Sequence, residues 1–172
     1  EKFADLYQGL KRAHGGYTLS NTASPKGKAE GRAVTLFEEV TIEKWRAHLS
    51  GTAGIGIVPI NEDNKCWWGA VDIDVYEDGL LAKIEEATRR LALPVVCLRT
   101  KSGGVHVTCF LTEPVDARIV RGKMMEIAAA LGYYRAIETT SRQMALRRDG
   151  PKLAMPILAV AAGLGVGATM PA

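Results

Sequence analysis

Cysteine is scarce: Cys66, Cys97 and Cys109 are the three in 172 residues, an odd count with no CxxC spacing. This argues against a disulfide framework and against a Cys-ligated zinc site, and a reducing, cytoplasmic setting is the simplest expectation. A surplus of one charge is also missing. Lys plus Arg number 22 against 19 for Asp plus Glu, a formal net charge of +3. A nucleic-acid partner is permitted by that balance, but phosphate must then be met by local arrangement of charge or by metal ions. No GxxxxGK[ST] loop is present, so the chain is not a P-loop NTPase. There is no internal repeat, and no low-complexity segment other than an Ala/Gly-rich end. No secretory signal opens the chain, which starts at Glu1 and reads as a domain excised from something longer. Leu153–Ala172 carries no charge, but Pro156, Pro171, Gly163, Gly165 and Gly167 interrupt it, so no membrane-spanning helix and no membrane partner are expected.

What is present is ordinary for a globular domain: 47% hydrophobic and 24% charged residues, in a length that builds one core. The expected organisation is a single domain over 1–172, with an N-terminal αβ module at 1–64 packed on a core at 65–156, and a tail at 157–172. In the first part, Phe3, Leu6, Tyr7 and Leu10 fall on one helical face. His14 to Arg32 has loop composition, and Thr41 is placed to cap a short helix carrying Trp45 and His48, both expected to be structural. Ile55, Ile57 and Val58 read as a strand. The core then alternates in period: strand at Cys66–Val75, helix at Leu80–Leu91, strand at Val95–Thr100. A Gly103-Gly104 turn leads to a strand at Val105–Leu111, a helix runs from Asp116 to Leu131 before Gly132, and a last strand is expected at Tyr134–Thr139. That order, βαββαβ, is the ferredoxin-like or RRM-like unit of an α+β protein. Its sheet runs 4-1-3-2, with helices on one face and the other face expected open.

Val71-Asp72-Ile73-Asp74-Val75 carries the chemistry. Alternation puts both carboxylates on one face, about 7 Å apart at their Cα atoms by the strand rise. Like charges on a central strand are costly unless a cation lies between them, and oxygen ligands of this kind suit Mg²⁺ or Mn²⁺. A solvated sheet face explains this segment alone equally well. Ser102-Gly103-Gly104-Val105-His106 follows, with Arg99 and Lys101 just before it. A plain hairpin explains its glycines, whereas His106, on the strand beside Asp72 and Asp74, fits triphosphate binding better. Glu138, on the expected fourth strand, is a candidate third carboxylate for a two-ion site. Of Trp67 and Trp68, on opposite faces, one is expected in the core.

GAVDIDVY followed by RTKSGGVHVTCFL resembles the archaeo-eukaryotic primase superfamily, in particular the prim-pol domains of phage, plasmid, CRISPR-associated and conflict-system proteins. The likeness covers roughly Leu6 to Gln143. It implies metal ligation by Asp72 and Asp74 and phosphate contacts by Ser102 and His106. The third motif is represented by Glu138-Thr139-Thr140-Ser141-Arg142-Gln143, which keeps the acid but not the aromatic of relatives. The implied activity is a template-directed DNA primase or primase-polymerase with two Mg²⁺ or Mn²⁺ ions on Asp72, Asp74 and Glu138. Arg99, Lys101, Ser102 and His106 would bind the NTP or dNTP on a single-stranded DNA template. A helicase, fused or encoded nearby, is the implied protein partner. The alternative from another class is a non-catalytic single-stranded nucleic-acid binding module on an RRM-like sheet, although the aromatics such modules use are absent here.

Overall fold

Apolar residues four apart explain both long helices, and alternation explains the strands between them. In the computed structural model, which describes residues 2–23, 29–75, 77–100, 103–134 and 158–160 (17–23, 29–33 and 158–160 by backbone only), the order is α1 Lys2–Leu6, β1 His14–Ala23, β2 Ala29–Leu36, α2 Ile42–Leu49, β3 Ile55–Ile57, β4 Lys65–Ile73, α3 Leu80–Arg90, β5 Val96–Arg99, β6 Val105–Asp116, α4 Ala117–Ala130 and β7 Leu158–Val160. Helix α3 buries Leu80, Ile84 and Thr88, and α4 buries Val120, Met124, Ile127 and Ala128, single stripes at helical spacing. Thr41 caps α2 and Asp116 caps α4, the latter accepting from the Arg118 amide at 2.8 Å. Gly132 follows α4 at φ +84°, the left-handed residue that ends a helix without steric cost.

Two sheets form, β2-β1-β3-β7 and β4-β6-β5. In the second, β4, α3, β5, β6 and α4 run strand–helix–strand–strand–helix, with β4 and β5 both antiparallel to β6. These are the first five elements expected of the core, in the expected relative order. Of the expected fourth strand at 134–139, which would flank β4, Tyr134 is described and is not strand, and 135–139 lie outside the described residues.

Two expectations are corrected. The stretch expected as loop over His14 to Arg32 is strand wherever it is described, at 14–23 and 29–32: β1 and β2 pair antiparallel from His14↔Leu36 onward, and Gly15 also pairs with Gly56 of β3. Glycine composition hid this pairing, which is made with β2, next in the chain, and with β3 further along it. The second correction concerns the sheet face away from α3 and α4. Most of it is covered by the N-terminal module, where Tyr7, Trp45, Ile55 and Ile57 pack with Trp68, Phe110 and Ala70. The Tyr7 ring stands edge-on to Trp68 and to Phe110, each at 5.1 Å. Burial pushes the Tyr7 hydroxyl pKa up, and its hydrogen bond with Thr108 pulls the other way. The helix-facing side is a separate cluster of Val71, Ile73, Leu80, Ile84, Val105, Val107 and the α4 stripe. The β4–β6 register breaks between Cys66, opposite Val115, and Trp68, opposite Phe110. Cys66 thus packs toward the helices and Trp68 toward the N-terminal module, and Trp67, expected on the face opposite Trp68, is half-buried against the same N-terminal cluster.

His14 and His48 are both buried, at 3% and 1% exposure. His14 Nε2 lies 2.9 Å from Lys44 Nζ, and Lys44 pairs in turn with Glu38 at 2.8 Å. The ring therefore accepts from the ammonium through Nε2, which requires the neutral form with its proton on Nδ1. Burial first, then the Lys44 charge, lowers the His14 pKa; burial lowers that of His48. The unfolded chain thus takes up these protons first as pH falls. Their stabilising effect is complete above the ordinary histidine value of about 6.5 and is lost as pH drops toward the folded values. Thermal melts from pH 8 to 5 are expected to show Tm falling below about pH 6.5, with a shallower fall in His48→Gln. A flat wild-type profile would rule this out.

Candidate active site

The β4–β6 register sets Asp72 directly opposite His106, and β5 sets Leu98 opposite His106 on its other side. Directly paired residues share a face, so Asp72, His106 and Leu98 form one row across the end of the sheet that the N-terminal module leaves uncovered. The Asp72 side chain is 36% exposed and that of His106 14%. Asp72 Oδ1 approaches His106 Nε2 to 3.4 Å, yet it is shielded from solvent and has no hydrogen-bond partner. A carboxylate oxygen withdrawn from water without a partner is costly, and the cost is relieved by a cation. Asp74 follows one residue past the strand end and is exposed. Two carboxylates, one with an orphaned buried oxygen, form a donor set that fits a hard divalent cation. Among the described residues no three His, Cys, Asp or Glu side chains group into a metal site.

The β5–β6 turn is held by the Thr100 amide donating to the Gly104 carbonyl at 2.9 Å and the Gly103 amide donating to the Thr100 carbonyl at 3.1 Å. Gly103 needs its φ of +101°. Gly104 is needed for a different reason: a Cβ there would lie 2.5 Å from the Ile73 carbonyl oxygen. That atom belongs to the backbone between Asp72 and Asp74, so the glycine lets β6 start hard against the carboxylate-bearing strand. Gly104→Ala is expected to cost roughly 1–3 kcal/mol and to separate Asp72 from His106. Urea unfolding measures the first effect, and nucleotide incorporation well below Tm measures the second. Wild-type values in both would show that the close approach is unimportant.

Of the residues singled out from sequence, the structure brings together Asp72 and His106, with Asp74 exposed just past the end of the same strand. Arg99 pairs with Val105, which faces the helices, so Arg99 starts from the opposite face of the sheet to His106. Lys101, Ser102 and Glu138 lie outside the described residues. Sequence reasoning passed over Leu98, 41% exposed in the same row as His106. Its signal was the alternate position within the Val95–Thr100 run. The three cysteines are free, and Cys66 is pushed up to about 11 by burial and by Asp116, so its thiol is inert at neutral pH. No helix among the described residues is long and apolar enough to cross a membrane.

No curated protein matches the chain. The family model of the TOTE conflict system archaeo-eukaryotic primase domain matches residues 3–141, which takes in the N-terminal module, the Asp72–His106 row and Glu138. The chain belongs to the archaeo-eukaryotic primase superfamily, as a domain of the TOTE conflict-system type.

Proposed function

We propose that this domain is a template-directed nucleotidyltransferase that makes or extends primers on single-stranded DNA. A 3′-hydroxyl attacks the α-phosphorus of an NTP or dNTP, the new P–O bond forms, and pyrophosphate leaves. The observation that supports this most directly is Asp72, whose unpartnered buried oxygen faces His106 across two strands in a primase-family domain.

Asp72 and Asp74, with Glu138 proposed from sequence alone, are the residues that would hold two Mg²⁺ or Mn²⁺ ions. When bound, such ions supply Lewis acidity at the attacking oxygen and charge neutralisation at the leaving pyrophosphate. The chain's own residues position the rest. His106, at the start of β6 and partly exposed, offers an N–H to a phosphate oxygen beside the carboxylates. Lys101 and Ser102 are proposed as further phosphate contacts next to the Gly103 turn. Arg99 reaches phosphate only by passing round the strand end, and so contributes less than its charge implies. We take the core to be the RRM-like βαββαβ unit, of which β4, α3, β5, β6 and α4 supply the first five elements. A helicase of the same system remains the partner implied by family likeness.

A non-catalytic module that stacks bases on its sheet lacks a platform among the described residues, because Tyr7 covers Trp68 and Phe110. Incorporation of labelled nucleotides on a single-stranded template, with Mn²⁺ or Mg²⁺ and with or without primer, tests the proposal. Product is expected only with metal and template, and the lane without primer reports de novo priming. Mn²⁺ is also expected to raise Tm in wild type and not in Asp72→Ala, since a ligand that binds only the folded state stabilises it. Incorporation that persists in EDTA would overturn the metal assignment.

A further inference from the structure

A groove of about 550 Å³ lies between α1, the segment before α2, and the turn leading into β4. Its lining includes the buried Tyr7, Trp45 and Ile57 and the half-buried Trp67. Asp5, Glu39, Glu62 and Asp63 stand exposed around it, and Lys11 is the single basic residue of the lining. None of the four carboxylates has an ion-pair partner among the described residues. In a chain of net charge +3, this is a local excess of negative charge over an aromatic floor.

The walls are fixed in place. Asn61 Oδ1 accepts from the amides of Asp63 and Lys65, at 3.0 and 2.9 Å, which sets the turn. The Lys11 amide donates to Glu62 Oε1 at 3.3 Å, and the Leu10 amide to the Val58 carbonyl at 2.9 Å. Trp67 lies at the β4 register break, half-buried against the cluster that holds the fully buried Trp68, and lines the groove.

We propose that this groove docks an extended, arginine-bearing segment of a protein partner. Four carboxylates repel a phosphate backbone, so nucleic acid is the wrong occupant. An apolar peptide would leave the carboxylates unused. A guanidinium satisfies both features, stacking flat on an indole while its N–H fork meets a carboxylate, and arginine does this better than lysine. The site is compatible with catalysis: Trp67 and Asp72 are five residues apart on β4, about 17 Å by the strand rise. A partner seated here therefore leaves the Asp72–His106 row free.

The inference is independent of the polymerase proposal, because it is read without metal, nucleotide or template. The intact 172-residue chain is titrated with an acetylated, amidated Gly-Arg-Gly-Arg-Gly peptide and with its citrulline counterpart, a neutral near-isostere. Calorimetry and the fluorescence of Trp45 and Trp67 report binding. Saturable binding of the arginine peptide is expected, at least about tenfold tighter than that of the citrulline peptide and weakened by salt. Glu62→Gln with Asp63→Asn is expected to weaken it about tenfold at unchanged Tm, and Trp67→Leu to weaken it about tenfold in protein that remains folded at the assay temperature, with some loss of Tm from its packing. Equal affinity for the two peptides, undiminished binding by the folded variants, or no binding at about 1 mM peptide would overturn the proposal. The peptide comparison needs no variant, so a variant that fails to fold does not protect it.

Discussion

Asp72→Asn is expected to lower nucleotide incorporation by about a thousandfold or more while leaving Tm unchanged or slightly higher. The two effects separate because Asp72 is poorly placed for stability. Its Oδ1 is buried, has no hydrogen-bond partner, and meets His106 only at 3.4 Å. Removing the charge relieves a desolvation cost, and the amide adds a donor that an unpaired carboxylate lacks. A residue kept where it does not help folding is kept for what it binds. Asp74→Asn is expected to lose activity comparably with no change in Tm, because Asp74 is exposed beyond the strand end. Incorporation and thermal melts on both variants settle the matter. Wild-type rates in Asp72→Asn would remove Asp72 from the reaction, and a fall in Tm of several degrees would make it a structural residue instead.

Local signals in the sequence carried the second half of the fold. The helix over 80–91, the cap at Asp116, the stop at Gly132 and the alternation through Val71–Ile73 are each set within a few residues and appear as read, although the first helix buries Leu80, Ile84 and Thr88 rather than the Leu81, Ile84, Ala87 and Leu91 that its spacing suggests. The facing of Asp72 and His106 was legible for the same reason: once β4 and β6 are neighbours, parity alone decides which side chains share a face. What was not legible depends on distant parts of the chain. His14–Ala23 reads as loop until Ala29–Leu36 and Ile55–Ile57 are brought against it. The sheet face beside β6 reads as open until Tyr7 and Trp45 close over Phe110. The apolar face that carries Tyr7 is periodic, but nothing in that period says which surface it covers. The covering also changes the chemistry that can occur there, since it confines access to the row of Asp72, His106 and Leu98 and withdraws the aromatic residues that base stacking would use.

Trp68→Ala is expected to destabilise the domain by about 3–5 kcal/mol, the largest stability effect of any single truncation at this junction. Trp68 has 0% exposure, and it sits on β4 between the sheet and the N-terminal module. Its indole N–H donates to the Gln8 carbonyl at 2.9 Å, and Tyr7 packs edge-on against it. Truncation therefore empties a cavity, deprives Gln8 of a donor and loosens the ring cluster in which Tyr7 also meets Phe110. Against a total stability of about 5–15 kcal/mol, that loss leaves a marginal fold. Trp68→Phe separates the contributions: it keeps an aromatic ring and loses the N–H and part of the volume, so about 1–2 kcal/mol is expected. Equilibrium unfolding in urea measures both. The consequence for the site follows from position, because Asp72 lies four residues further along the same strand as Trp68. In Trp68→Ala the N-terminal module is expected to lose its grip on β4, and incorporation falls with the folded fraction. Trp68→Phe is expected to retain near-wild-type activity at 25 °C. A Trp68→Ala protein within about 1 kcal/mol of wild type would mean that the N-terminal module docks through some other contact.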